Sequence, residues 1–318
     1  MANCHDLFED FYSTISIDKS KRDSLMSARD AIQDRITNYF KNELKEKVPE
    51  YKIQGSYALD TIVNPLDGEY DIDVGIYLQN IDHDKVKWPT TETVHNWIFK
   101  AVENHTKEKP TDKRTCVRVN YSGQYHVDLP IYGTYKNESY LAEKGEAKWH
   151  ISDPKDFENW FKGEIEKKGD QIRHLVKYLK AWADYNSKSG KLPSGFVLTI
   201  LITECYEKSD RDDASFAGTA KSMYDRLKIS EEIRNPVDPK ENLRDRISDS
   251  KMVTFKESLE TLLNNASLAL KEKSKKEACK KWRKEFGDRF SNCENVKDSS
   301  ESLKTTAPAI LRDDARSA

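Results

Sequence analysis

The sequence predicts an α+β fold in two lobes, a mixed-sheet amino-terminal lobe carrying a long spine helix and a helical carboxy-terminal lobe. Three observations carry that prediction. Residues 18–47 repeat apolar side chains at helical spacing, residues from about 50 to 132 switch to short β-rich runs broken by turns, and from Asp156 onward the helical period returns.

In the spine helix, Leu25, Ala28, Ile32, Ile36, Phe40 and Leu44 recur every three or four residues. Asp18 or Ser20 can cap its start, and Pro49 lies beyond its end. Gly55-Ser56 opens a short segment, helical as far as Thr61, and Pro65-Leu66-Asp67-Gly68 is a turn. Residues 70–78 are rich in β-branched and aromatic side chains and read as a strand. Two further strands, 114–121 and 124–132, flank the hairpin signal Ser122-Gly123. Between them, 91–104 reads as a helix with Val94, Ile98, Ala101 and Val102 on one side, and 134–153 reads as irregular. Helices are expected at 156–167, 170–186, 194–208 and 251–286, with breaks at 188–193 and 233–242. The expected organisation is therefore 1–165 for the first lobe, 166–291 for the second, and a flexible polar tail over 292–318.

Composition narrows the function classes. Asp and Glu (55) nearly cancel Lys and Arg (53), and a net charge of −2 argues against a general duplex-binding protein, which would show a basic excess. The five cysteines are odd in number and scattered, without a C-x-x-C pair, which points away from a disulfide framework or zinc site and toward a reducing cytoplasmic compartment. The amino terminus lacks a secretory pattern, and the longest apolar run, 196–202, is too short to span a bilayer.

Chemistry concentrates in three short motifs. In a strand, alternate side chains share a face, so Asp71 and Asp73 point one way while Ile72 and Val74 point into the core. Asp128 stands similarly in its own strand, with Val127 and Leu129 on the other side. Three converging carboxylates supply hard oxygen donors suited to Mg²⁺ or Mn²⁺. A lone D-x-D is common on solvent-facing strands, and an isolated Gly-Ser is a turn with an N-cap. Together, however, Gly55-Ser56 can seat a phosphate on its backbone N–H groups beside the carboxylates.

These residues resemble the nucleotidyltransferase pattern of the polymerase-β-like superfamily. The stretch IQGSYALDTIVNPLDGEYDIDVGIYL, followed by YHVDLPIYG, is similar to the bacterial cGAS/DncV-like nucleotidyltransferases, the CD-NTases or CBASS oligonucleotide cyclases. The resemblance implies a two-lobed nucleotidyltransferase that joins nucleoside triphosphates without a template, closes a cyclic product and releases pyrophosphate. It implies two Mg²⁺ ions, with Mn²⁺ possible in their place, bridged by Asp71 and Asp73, and Asp128 on the ion nearer the attacking hydroxyl. The family places a Lys and a Ser of the second lobe on the donor triphosphate, and Lys180 and Ser194 in LKAWADYNSKSGKLPSGF match them. Gly55 and Ser56 would complete that cradle, and Tyr57 would either stack on a base or pack. It further implies a role in antiphage signalling through a separate effector protein and, in some systems, an E1/E2-like partner that conjugates the carboxy terminus.

Two other readings stay open: a linear or RNA-terminal nucleotidyltransferase using the same aspartates, and an inactive nucleotide-binding sensor. On helix 170–186, Arg173, Lys177 and Lys180 make a basic stripe opposite Ile172, Leu175, Val176, Leu179 and Trp182, either a solvated face or part of the site. Residues 271–284 hold eight Lys/Arg against two Glu, which reads as a solvated face of the last helix, with Trp282, Phe286 and Phe290 docking it. The seven histidines show no ligand spacing, and His126 reads either as a hydrogen-bonding neighbour of Asp128 or as a catalyst.

Overall fold

The computed structural model describes residues 2–79, 81, 84–136, 138–145, 148–187 and 192–298. Most of the expected tail, 299–318, on which the conjugation implied by the family resemblance would fall, lies outside the described residues. Two apolar cores organise the rest, one between the sheet and its helices and one among the carboxy-terminal helices.

Helix α1 (His5–Ile15) precedes the spine helix α2 (Lys19–Tyr39). Asp18, not Ser20, caps α2, its carboxylate accepting from Lys21 N–H at 2.8 Å. The spine then widens into one π-turn, Phe40–Leu44, and Lys45 leaves it at φ 56°, so the helix ends before Pro49. Leu25, Ala28, Ile32, Ile36 and Phe40 are buried against the sheet, as their spacing requires.

The sheet comprises β1 (Glu50–Gln54), β2 (Tyr70–Tyr77), β3 (Thr111–Asp112), β4 (Val117–Tyr121), β5 (Tyr125–Leu129), β6 (Ile131–Tyr135), β7 (Glu138–Glu143) and β8 (Lys148–Ile151). Strand β2 is its centre. β1 pairs antiparallel along one edge, and β5 and β6 run parallel along the other. They keep one register, from Tyr70 opposite Tyr125 to Tyr77 opposite Tyr132, interrupted at Pro130, which has no N–H to donate. The segment read as irregular is instead ordered as β7 and β8, an antiparallel meander continuing from β6. Both strands are short and mostly polar, so neither shows a period of two in the sequence. Helices α3 (Gly55–Ala58) and α4 (Thr91–Val102) complete this lobe, and α4 buries Val94, Ile98 and Val102 beside α2.

The helical lobe contains α5 (Pro154–Lys168), α6 (Gln171–Asn186), α7 (Gly195–Cys205), α8 (Asp212–Ile229), α9 (Asp249–Lys271) and α10 (Lys275–Phe286), with a hairpin of β9 (Arg234–Asn235) and β10 (Asp238–Asn242). Helix α8 was not foreseen: its buried face includes Ser215, Ala217, Thr219 and Ala220, residues too small or polar to mark an apolar stripe. The expected helix over 251–286 is two helices, because Ser274 caps α10 after a break. The core of this lobe is aromatic. Phe8 of α1 is fully buried, with ring centroids of Tyr178 at 5.1 Å, Trp282 at 4.9 Å and Phe290 at 5.5 Å. Helices α1 and α5 thus contribute Phe8, Phe11, Phe157 and Phe161 to the second core.

Trp282, Phe286 and Phe290 dock α10 as expected, and its cations Lys275, Lys276, Lys280 and Arg283 are paired with Asp6, Glu294, Glu277 and Asp288. Against the expectation drawn from cysteine spacing, Cys279 and Cys293 form a disulfide, their Cα atoms 5.6 Å apart. The turn after α10 folds the chain back onto that helix, a proximity no spacing rule encodes. No described helix is long and apolar enough to cross a membrane.

The aromatic cluster yields a stability test. Phe8→Ala is expected to remove about 3–5 kcal/mol, the usual range for a fully buried phenylalanine, read from the midpoint of urea unfolding.

Candidate active site

Strand β1 ends at Gln54, in register with Asp73 of β2, so the next two residues, Gly55 and Ser56, are delivered directly over the carboxylates. Gly55 sits at φ +67°, and a Cβ there would stand 2.1 Å from Asp73 Oδ2. Only glycine tolerates both the left-handed backbone and that approach. The one-turn helix α3 then closes on itself, with Leu59 N–H donating to Gly55 O at 3.2 Å and Thr61 N–H to Ser56 O at 2.9 Å.

Alternation along β2 works as the sequence required. Tyr70, Ile72, Val74 and Ile76 enter the sheet core, and Asp71 and Asp73 leave from the opposite face. The parallel β5 places Asp128 beside Asp73 and His126 beside Asp71. Burial, then the Asp128 charge, raises the pKa of Asp71 above its ordinary value; burial, then Asp71 and Asp128, raises that of Asp73 much further.

Arg118 is the main local counter-charge, and sequence reading missed it. It lies opposite Asp128 in the β4–β5 hairpin. Its guanidinium grips both Asp128 oxygens, Nε to Oδ1 at 2.6 Å and Nη2 to Oδ2 at 2.7 Å, and Nη2 is 3.9 Å from Asp71. The hydrogen bond to Asp128 drives its own pKa upward. The signal was present: counting outward from the Ser122-Gly123 turn pairs Tyr121 with Tyr125 and therefore Arg118 with Asp128.

The basic stripe on α6 faces inward. Arg173 donates to Leu59 O at 3.2 Å, and Lys180 donates to Thr61 O at 3.1 Å and to Thr61 Oγ1 at 3.0 Å. Lys177, 1% exposed, bonds Tyr12 Oη and Ser16 Oγ, each at 3.1 Å. Burial pushes both Lys177 and Lys180 down to about 8. Ser194 is the N-cap of α7, its hydroxyl accepting from Val197 N–H at 3.5 Å. Tyr57 packs partly buried against the sheet core with Arg22 over its ring. His126 stands beside Asp71 in register, but its Nε2 pairs with Glu69 Oε2 at 3.0 Å.

A cavity of about 1120 Å³ opens between the lobes and is lined by Gly55, Ser56, Asp71, Asp73 and Lys180. Asp128, held by Arg118, and Ser194, just before Gly195, are not among its lining residues. Trp149, Phe157 and Phe196 supply aromatic walls, and the β9–β10 hairpin adds Asn235 and Asp238. Among the described residues, no group of three His, Cys, Asp or Glu side chains is arranged to hold a metal ion. At the carboxylates, the third member is turned to Arg118.

Residues 49–132 match the nucleotidyltransferase domain of the cyclic GMP-AMP synthase DncV-like family, and residues 169–299 match the cyclic GMP-AMP synthase C-terminal domain. The chain belongs to the DncV-like nucleotidyltransferases. Among its relatives, the cyclic GMP-AMP synthase of Escherichia albertii is 28% identical over 74% of this chain and 56% of its own length, so this chain spans little more than half of it. The c-di-GMP synthase of Roseivirga ehrenbergii is 26% identical over 72% of this chain and 69% of its own. The crystal structure of Vibrio cholerae DncV cyclic AMP-GMP synthase in complex with nonhydrolysable GTP aligns at a TM-score of 0.76 with 20% identity, covering 92% of this chain and 98% of that one. The shared architecture is the two-lobed DncV-like fold.

Gly55 offers a local test in this DncV-like chain. Gly55→Ala should cost about 1–3 kcal/mol from the left-handed backbone alone and should also push Asp73 out of place. Thermal melting checks the first effect, and a crystal structure of the variant checks the second.

Proposed function

We propose that this DncV-like protein is a templateless nucleotidyltransferase that joins two nucleoside triphosphates into a cyclic dinucleotide. In each step a ribose hydroxyl gives up its proton to solvent as its oxygen attacks an α-phosphorus, one P–O bond forms, the bond to the β-phosphate bridging oxygen breaks, and pyrophosphate leaves. The observation that carries the reading is the meeting of Gly55-Ser56, Asp71 and Asp73 with Lys180 of the other lobe in one cavity. At about 1120 Å³, that cavity exceeds the roughly 300–1,000 Å³ usual for one small ligand, which favours two bound nucleotides. The relatives carrying the names cyclic GMP-AMP synthase and c-di-GMP synthase support the same product class.

Asp71, Asp73 and Asp128 are the residues that would hold two Mg²⁺ ions, or Mn²⁺ in their place. The donor chemistry fits: it is oxygen only, burial and then the neighbouring carboxylates raise the pKa values of Asp71 and Asp73, and a guanidinium stands where positive charge is wanted on Asp128. Such ions supply positive charge to the leaving pyrophosphate and lower the pKa of the attacking hydroxyl. Lys180 brings an ammonium to the cavity wall, already oriented by Thr61, and that charge suits a triphosphate. Ser56 would present its hydroxyl and N–H to the same phosphates, and Ser194 would join them from the start of α7. Positioning of this kind carries most of phosphoryl-type catalysis. The product is proposed to act as a second messenger on a separate effector in antiphage defence, the role implied by the family resemblance.

The test uses purified protein, Mg²⁺, all four triphosphates and no RNA, followed by phosphatase and mass spectrometry. A phosphatase-resistant dinucleotide that disappears with Asp71→Asn is expected. Labelling that requires RNA, a product that phosphatase degrades, or full activity in Asp71→Asn would overturn the reading.

A further inference from the structure

Arg118 does more than close a hairpin. Strands β4 and β5 are already laddered from Val117 opposite Leu129 to Tyr121 opposite Tyr125, so the pairing needs no side-chain clasp. Its guanidinium nevertheless takes both oxygens of Asp128 in a fork, and the pair is shielded, with side chains only 20% and 12% exposed. The same group reaches toward Asp71 at 3.9 Å, so it sits between two of the three crowded carboxylates. A divalent cation bound by Asp128 would meet this fixed positive charge at contact range. Arginine does not lose its proton in proteins, so pH cannot remove the competitor. Another anion can draw it off, and a nucleoside triphosphate would bring several negative charges into the cavity lined by Asp71, 3.9 Å from this guanidinium.

We propose that Arg118 is a built-in counter-cation that competes with divalent metal for Asp128, so that Asp128 becomes a metal ligand only once a triphosphate draws the guanidinium away. Metal binding at the third carboxylate is thereby conditional on nucleotide. Arg118 is in this sense a positioning residue acting through Asp128. The inference rests on the metal reading of the three carboxylates given above.

The experiment measures Mn²⁺ binding to the nucleotide-free protein by the loss of the free-ion electron paramagnetic resonance signal. Arg118→Gln should bind Mn²⁺ about tenfold more tightly than the unsubstituted protein, the equivalent of one pKa unit of electrostatic relief. Arg118→Lys, which keeps the charge but loses the fork, should fall between them. A nonhydrolysable triphosphate should narrow the gap. Equal or weaker Mn²⁺ binding by folded Arg118→Gln overturns the proposal while leaving the metal reading intact. Absence of Mn²⁺ binding in every protein, with or without the triphosphate, overturns both. Should Arg118→Gln fail to fold, the unsubstituted protein carries the test. The nitrogen-15 side-chain signal of Arg118, assigned by its loss in Arg118→Lys, should shift when Mg²⁺ and the triphosphate analogue are added together, and an unchanged signal overturns the proposal.

Discussion

Asp71 and Asp73 leave the same face of β2 into the cavity, and Asp128 stands beside Asp73 on β5, so three carboxylates crowd one another. Burial, and after it the neighbouring carboxylate charge, raises the pKa values of the first two. A loop could relieve such crowding by moving; a central strand cannot. Strand β2 is paired along both edges, backed by Ile72, Val74 and Ile76 in the core, and overlain by the backbone of Gly55. The fold thus holds the anions together against their own repulsion, and positive charge must be brought to them. Arg118 answers from the neighbouring strand and Lys180 from the opposite lobe.

The seam that brings the lobes together is residues 59–66, the connection from the Gly-Ser turn to β2. The helical lobe holds its carbonyls through Arg173 at Leu59, Lys180 at Thr61 and Arg289 at Asn64. The amino-terminal helices hold it through Ile15 O, which accepts from Asn64 N–H, and through Arg22 paired with Asp60. Asp184 ties the far end by accepting from Leu66 N–H and pairing with Arg289. Burial is costly for Lys177, held by the Tyr12 and Ser16 hydroxyls, and for Lys180, held by Thr61, and it pushes both pKa values down to about 8. In return, the Gly-Ser turn and Lys180 face each other across the cavity at a set separation.

Much of this was legible in the residues. The period-two alternation around Asp71, Asp73 and Asp128 gave their common face, whereas Gly55, read as part of a phosphate seat, shows its close approach to the Asp73 carboxylate only in the structure. The apolar stripes of α2, α4 and α6 were read correctly because each buries large side chains at regular spacing. Strands β7 and β8 and helix α8 were not, since their pairing and burial come from neighbours and their own patterns are short or built from small residues. The stripe Arg173, Lys177 and Lys180 looks like a solvated face because a helix pattern cannot say what lies opposite; the partners are backbone carbonyls and hydroxyls distant in sequence. The disulfide between Cys279 and Cys293 escaped for the same reason.

If carboxylate crowding is the governing constraint, the metal-free protein should become more stable when it is relieved, at the expense of function. The sign follows from linkage: a carboxyl whose folded-state pKa is raised penalises the fold fully above that raised pKa, and the penalty fades as pH falls to the ordinary 3.8. The decisive measurement is the melting temperature, without divalent ions, of the protein carrying both Asp71→Asn and Asp73→Asn, compared with the unsubstituted chain at pH 7 and near pH 4. A higher melting temperature for the double variant at pH 7, with the gap closing toward pH 4, is the result expected. An equal or lower melting temperature at pH 7 would contradict the account.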